Sequence, residues 1–207
     1  MTLRSSSRRM MMIPQGLAGR LKRKYPRPPT QTARSSAADI PPPGTTFCAM
    51  GTSRVLGAVA AVVLVVGYAI GAGLWVSSGQ EFYEALDRPP WQPPDLVFGL
   101  IWPYNFIVLG AAGVVVAVAG TGAARAWWLI LTALSVVAAL SWAHLFYIDQ
   151  ALWPAAAALA IATALTVPVL VITWRTATLP GVLLIPYLLW LATATSLAVG
   201  YAVRNPG

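Results

Sequence analysis

Five apolar stretches without a charged residue, at 55–76, 96–119, 126–148, 151–173 and 179–203, constrain this 207-residue chain more than any other feature. Each is close to the roughly 20 residues that a helix rising 1.5 Å per residue needs to cross a bilayer. A backbone in hydrocarbon has to satisfy its own hydrogen bonds, so runs of this length are helices. The composition agrees: with 57% hydrophobic and 10% charged residues and a mean hydropathy of +0.68, the chain holds more apolar side chains than one soluble core of its size can bury. The expected fold class is an all-α integral membrane protein, a bundle of five transmembrane helices. Connections at 120–125, 149–150 and 174–178 are short, so spans two to five alternate direction as near neighbours. Only the first loop, 77–95, is long enough to have a shape of its own.

The net charge of +8 is unevenly placed. Ten of the fourteen Lys and Arg lie within residues 1–54, against the single acid Asp39, while the rest of the chain carries four Arg and five acids. Basic charge confined to one end does not make a nucleic-acid surface, and no nucleic-acid partner is expected. Residues 1–52 are rich in Ser, Arg, Pro and Thr with no sustained apolar period, and read as a disordered basic tail ahead of a membrane domain at 53–207. Ser7-Arg8-Arg9 is followed by no apolar segment before residue 54, so a cleaved twin-arginine signal is not expected. Met50-Gly51-Thr52-Ser53-Arg54 ahead of an apolar run reads equally well as a membrane protein's own start, which leaves translation of the preceding residues open. With the N-terminus cytoplasmic, Arg125 and Arg175 join the basic tail. Arg88, Arg204 and the acids Glu81, Glu84, Asp87, Asp95 and Asp149 then fall outside, a strong positive-inside bias that also places the C-terminus outside. Cys48 is the only cysteine, which excludes an intrachain disulfide and a multi-thiolate metal site.

Of nine tryptophans, Trp75, Trp127, Trp128, Trp153 and Trp174 fall at span ends, where indole prefers the headgroup region. Trp91 in the first loop and Trp102, Trp142 and Trp190 within spans do not fit such a belt. A large ring with an N–H donor at depth lines a protein interior or a ligand pocket. Tyr187, Trp190, Ala194, Leu197 and Tyr201 form one helical stripe in the fifth span, and Thr132, Ser135, Ala139 and Trp142 another in the third. Taken singly, either stripe is explained by close helix packing through small residues. Together they favour a cavity walled by rings and small side chains.

In the first loop, Pro89-Pro90-Trp91-Gln92-Pro93-Pro94 is expected to be rigid and extended, because proline fixes φ and restricts its predecessor, so Trp91 is held at low entropic cost. The segment from Phe82-Tyr83 through Leu86 to Pro94 resembles the first loop of the TspO/MBR (translocator protein) family. The likeness continues in Val97-Phe98-Gly99-Leu100-Ile101-Trp102, in Trp142 with Leu145-Phe146-Tyr147, and in Pro186-Tyr187-Leu188-Leu189-Trp190 with the closing Arg204-Asn205, covering about residues 55–205. The resemblance implies a five-helix bundle, often a homodimer, whose pocket beneath the first loop takes a hydrophobic small molecule such as a porphyrin or a sterol-like ligand from the surrounding membrane lipid. By the same matching, Trp91, Trp102 and Trp190 are pocket residues, with Trp142, Tyr187 and Ala139 beside them. Arg88 is placed to meet a propionate at the water boundary.

Departures from the family pattern accompany the likeness. Ala139 stands where Asn is common, Ala198 where Asn or Ser is common, Pro103 follows Trp102 in place of Thr, and Arg88 replaces Lys. Two lost hydrogen-bonding side chains make the pocket more apolar.

His144, the only histidine, lies about 200° around the helix from Trp142, away from the expected pocket face. A hydrogen bond or an interfacial position is a better reading for it than metal ligation. Val199 to Arg204 fits a proposed cholesterol-recognition pattern, although Tyr201 and Arg204 read more simply as interfacial anchors. Gly67-Tyr68-Ala69-Ile70-Gly71 offers a close-packing motif, within the chain or between copies.

No Ser/His/Asp set, HExxH, phosphate-binding glycine loop or metal-ligand spacing is present, so a hydrolase and a nucleotide-driven pump are disfavoured. No Asp, Glu, Lys or Arg lies mid-span, which argues against ion-coupled transport. The residues require no cofactor, a porphyrin or haem-type group entering only as ligand. The expected function is binding or sensing of tetrapyrrole or sterol-like molecules. The alternatives are degradation of a bound protoporphyrin by an enzyme using the same pocket, and transport of such ligands.

Overall fold

All five apolar stretches are helices in the structure, a computed structural model that describes residues 45–206, with side chains from Gly51 onward. Residues 1–44 of the expected tail at 1–52, and the Cys48 thiol, lie outside the described residues. The helices are α1 (Thr45–Ser78), α2 (Gln80–Ala85), α3 (Asp95–Ala119), α4 (Gly122–Tyr147), α5 (Leu152–Thr176) and α6 (Thr178–Arg204). All except the short α2 are long and apolar enough to cross a membrane. Helix α1 runs straight through the boundary drawn at residue 52.

Two connectors, 120–121 and 177, are tighter than the apolar pattern alone predicts, because the helices continue into residues that hydropathy does not register, whereas the one between α4 and α5 is longer, at 148–151. The Thr121 side chain accepts a hydrogen bond from the Ala124 N–H at 3.1 Å, so α4 starts at Gly122. Arg125 is thereby placed inside the helix, where its Nε donates to the Ala117 carbonyl at 3.0 Å and its Nη1 to Ser53 Oγ at 3.2 Å. One guanidinium therefore ties α1, α3 and α4 together at the bundle end opposite the first loop. Between α5 and α6 only Ala177 is non-helical. Gly181 permits that elbow, since a Cβ there would lie 2.7 Å from the Trp174 Cα.

Helix α5 packs between α4 and α6, α3 packs on α6 and α1, and α1 packs on α3 and α4. Large side chains such as Val59, Val63, Ile70 and Leu74 on α1 remain exposed and form a lipid-facing surface. The interior is crossed by polar ties of the kind that hold membrane helices together. Ser135 Oγ lies 3.0 Å from both the Ala162 carbonyl and Thr166 Oγ1, joining α4 to α5.

Trp128 departs from the belt expected at the span ends. It is only 1% exposed, its Nε1 donates to Thr173 Oγ1 at 3.0 Å, and its ring occupies a slot opened by Gly113 of α3. Trp127, Trp153 and Trp174 are exposed, and Trp75 is partly covered. The glycine motif of α1 does not act as a unit within the chain: Gly71 faces Leu140, whereas nothing lies within 4 Å of a Cβ built at Gly67.

Candidate functional site

At the loop end of the bundle a cavity of about 600 Å³ lies between α1, α3, α4 and α6, roofed by the first loop. The volume falls within the range of small-molecule sites, roughly 300–1,000 Å³. Helix periodicity builds its walls. Phe98, Trp102 and Phe106 recur every four residues on α3, while Ala69, Ala72 and Gly73 leave room on the facing side of α1. Helix α4 contributes Trp142, Phe146 and Tyr147, and α6 contributes Trp190, Ala194 and Leu197.

The rings brace one another. Trp102 meets Trp190 edge-on at 6.4 Å and stacks on Phe106 at 5.7 Å, and Phe98 meets Trp190 edge-on at 5.1 Å. The indole Nε1 atoms of Trp142 and Trp190 are buried and have no hydrogen-bond partner among the described residues. Both rings line the cavity, but their N–H groups are closed off from it, so a ligand acceptor meets them only if a ring turns.

The roof is α2 followed by the proline segment, which does not run extended as expected but turns at Pro90 and Trp91, where the Gln92 N–H donates to the Pro89 carbonyl at 3.0 Å, and it is fastened to the end of α6. The Asp87 N–H donates to Asn205 Oδ1 at 2.9 Å, and Asn205 Nδ2 donates back to the Asp87 carbonyl at 3.2 Å. The Tyr201 hydroxyl donates to Gln92 Oε1, and Gln92 Nε2 donates to the Tyr83 hydroxyl at 2.9 Å. Pro89 and Trp91 press on Gly200, where a Cβ would lie 2.7 Å from Trp91 Cζ2 and 2.9 Å from Pro89 Cγ. At the rim, Arg88 pairs with Asp95 at 3.7 Å and lies over the Tyr83 ring at 5.4 Å, while Glu84 accepts from Gln80 at 2.7 Å.

Of the seven residues singled out from sequence, Arg88, Trp102, Trp142 and Trp190 line the cavity. Trp91 does not: it is 54% exposed and serves as a clasp on Gly200. Tyr187 is buried below the cavity, with Tyr68 and Thr166 beside its hydroxyl. Ala139 is buried in the core, one turn from Trp142, and does not reach the cavity lining. The lower part of its stripe, Thr132 and Ser135, is buried, with Ser135 bonded to α5, so packing accounts for it and only Trp142 reaches the site. Tyr201 is buried and bonded to the loop, not an interfacial anchor. His144 lies outside the cavity, edge-on to Trp75 at 5.4 Å with its Nδ1 3.1 Å from Asp149 Oδ2.

Sequence reasoning missed the α1 wall and the two phenylalanines of α3. A signal existed for both. Phe98, Trp102 and Phe106 keep the same helical spacing as the stripes that were recognised, and Ala69, Ala72, Gly73 and Val76 form a small-residue stripe. Neither stripe says which face of its helix meets protein and which meets lipid.

Comparison with known proteins places this architecture. The sequence profile of the TspO/MBR family matches residues 58–204. The chain is 29% identical over 147 residues to the uncharacterized membrane protein YtaB of Bacillus subtilis (strain 168), covering 70% of this chain and 94% of that protein. It is 31% identical over 121 residues to the tryptophan-rich sensory protein of Cereibacter sphaeroides, covering 56% of this chain and 72% of the relative. With the tryptophan-rich protein TspO of Chlorobaculum tepidum it shares 27% identity over 151 residues, 69% of this chain and 90% of the relative. A five-helix membrane bundle with a ring-walled cavity under its first loop, matched by that profile over most of its length, belongs to the TspO/MBR family.

Proposed function

We propose that this membrane protein binds a flat, largely apolar small molecule, of the tetrapyrrole or sterol-like class, within the cavity beneath its first loop, and acts by binding or sensing it. The observation that carries this reading is the wall formed by Trp102, Phe106 and Trp190, a set of rings against which a planar ligand can lie.

The test is saturable quenching of tryptophan fluorescence by protoporphyrin dimethyl ester and by a fluorescence-quenching sterol analogue in nanodiscs. Trp102→Leu and Trp190→Leu retain apolar bulk but lose ring contact worth roughly 0.5–1.5 kcal/mol, so affinity should fall severalfold. Trp127→Leu, on the exposed surface of α4, should leave it unchanged. Equal affinities in all three variants would remove the cavity from consideration. Absorbance of the added porphyrin should shift without being consumed, which separates binding from degradation.

The positive-inside distribution supports an N-terminus on the cytoplasmic side. A membrane-impermeant thiol label should therefore miss Cys48 in intact cells and react after permeabilisation; labelling of intact cells at the level of an external control would reverse the topology.

A further inference from the structure

We infer that Glu84 and Asp95 determine which ligand head group the cavity accepts, favouring neutral or singly cationic amphipathic ligands over dicarboxylates. The inference rests on the ligand reading above and concerns the rim of the same cavity. Below the rim the lining is aromatic and aliphatic. Charge appears only where α2, the loop and the start of α3 meet, at Glu84, Arg88 and Asp95.

Arg88 is the only cation among the described residues that line the cavity. It is already engaged: its Nη1 is 3.7 Å from Asp95 Oδ1 and its guanidinium lies over the Tyr83 ring. Glu84 has the neutral amide of Gln80 at 2.7 Å. The rim therefore presents one carboxylate beyond what its cation balances. A ligand with two carboxylates has to compete with Asp95 for Arg88 and to approach Glu84, whereas an ammonium or hydroxyl head meets acceptors. The groups are exposed and partly screened, so the effect is one of selectivity and weakens as salt rises.

Three probes sharing one ring separate head-group chemistry from ring binding: protoporphyrin free acid, its dimethyl ester, and its monomethyl ester mono-amide ending in a single ammonium group. Affinities are measured by tryptophan quenching in neutral-lipid nanodiscs at low salt for the full chain and for the Glu84→Gln/Asp95→Asn variant. Comparing each probe across the two proteins cancels its partition into lipid. The variant is expected to bind the free acid about fivefold more tightly and the ammonium probe about fivefold more weakly, with the ester unchanged. Arg88→Gln should shift the free acid in the opposite sense. Raising the salt to about 1 M should collapse these differences. Equal shifts for all three probes, or none for the charged pair, would overturn the inference while leaving ring binding intact. Absence of saturable quenching by every probe would overturn the ligand reading and this inference with it.

Discussion

Gly113→Val is expected to cost about 3 kcal/mol of stability and to lower the melting temperature of the purified protein by several degrees or more. At Gly113 of α3 both α1 and α4 lie directly against the helix backbone. A Cβ there would lie 2.7 Å from the Ala61 Cβ and 2.6 Å from Trp128 Cη2. Neither neighbour can yield: the Ala61 Cβ moves only with the α1 backbone, and the Trp128 ring is held by its bond to Thr173 at 3.0 Å. Intrinsic helix preference points the other way, since valine is slightly better in a helix than glycine, so a loss of stability can come only from packing. Gly67→Val supplies the control, with nothing within 4 Å of the added atom. Thermal unfolding in mild detergent should show a clear loss for the first variant and little change for the second. Similar melting of both would mean that the three helices do not cross at this distance.

Gly200→Leu is expected to weaken ligand binding about tenfold, or roughly 1.4 kcal/mol. Its side chain would occupy the space filled by Trp91 and Pro89, and because the Pro89 ring is fixed to the backbone the roof would have to lift from α6. Lifting it would pull Gln92 from Tyr201 and Asp87 from Asn205, and carry Tyr83 and Arg88 away from the cavity they line. The loop packs on the span ends around Phe146, Leu152 and Tyr201 and not on the core around Trp128, so melting should change less than it does for Gly113→Val. Titration with protoporphyrin dimethyl ester reads the effect. Adding Trp91→Ala to Gly200→Leu removes part of the clash and should restore part of the affinity. Native affinity in the single variant would show that the loop is not the cavity's roof.

These two glycines illustrate where sequence reasoning reached its limit. The five spans, their alternating directions and the family were legible because bilayer thickness and backbone hydrogen bonding leave long apolar runs a single solution. The stripe on α6 was legible for a related reason: Tyr187, Trp190, Ala194, Leu197 and Tyr201 are all buried, as one helical face requires. Periodicity does not give depth along that face, however. Trp190 and Leu197 line the cavity while Tyr187, one turn away, is core.

Four cavity-lining residues, Arg88, Trp102, Trp142 and Trp190, could be singled out because a large ring or a charge is conspicuous in an apolar sequence. Trp91, Tyr187 and Ala139 were singled out for the same conspicuousness, or for their place in a stripe, yet lie outside the lining. Their positions depend on partners far along the chain: Trp91 on Gly200, Tyr187 on Tyr68 and Thr166, and Ala139 on how α4 packs. Trp128 was missed as a core residue because belt and interior tryptophans look alike until a slot such as Gly113 is located on another helix. Sequence alone determined that this chain crosses a membrane five times as helices, because solvent and length act on each segment independently. Only the tertiary structure decided which rings enclose the cavity, which one clasps the loop and which charges share its rim, because those outcomes depend on the rotation and height of one helix against another.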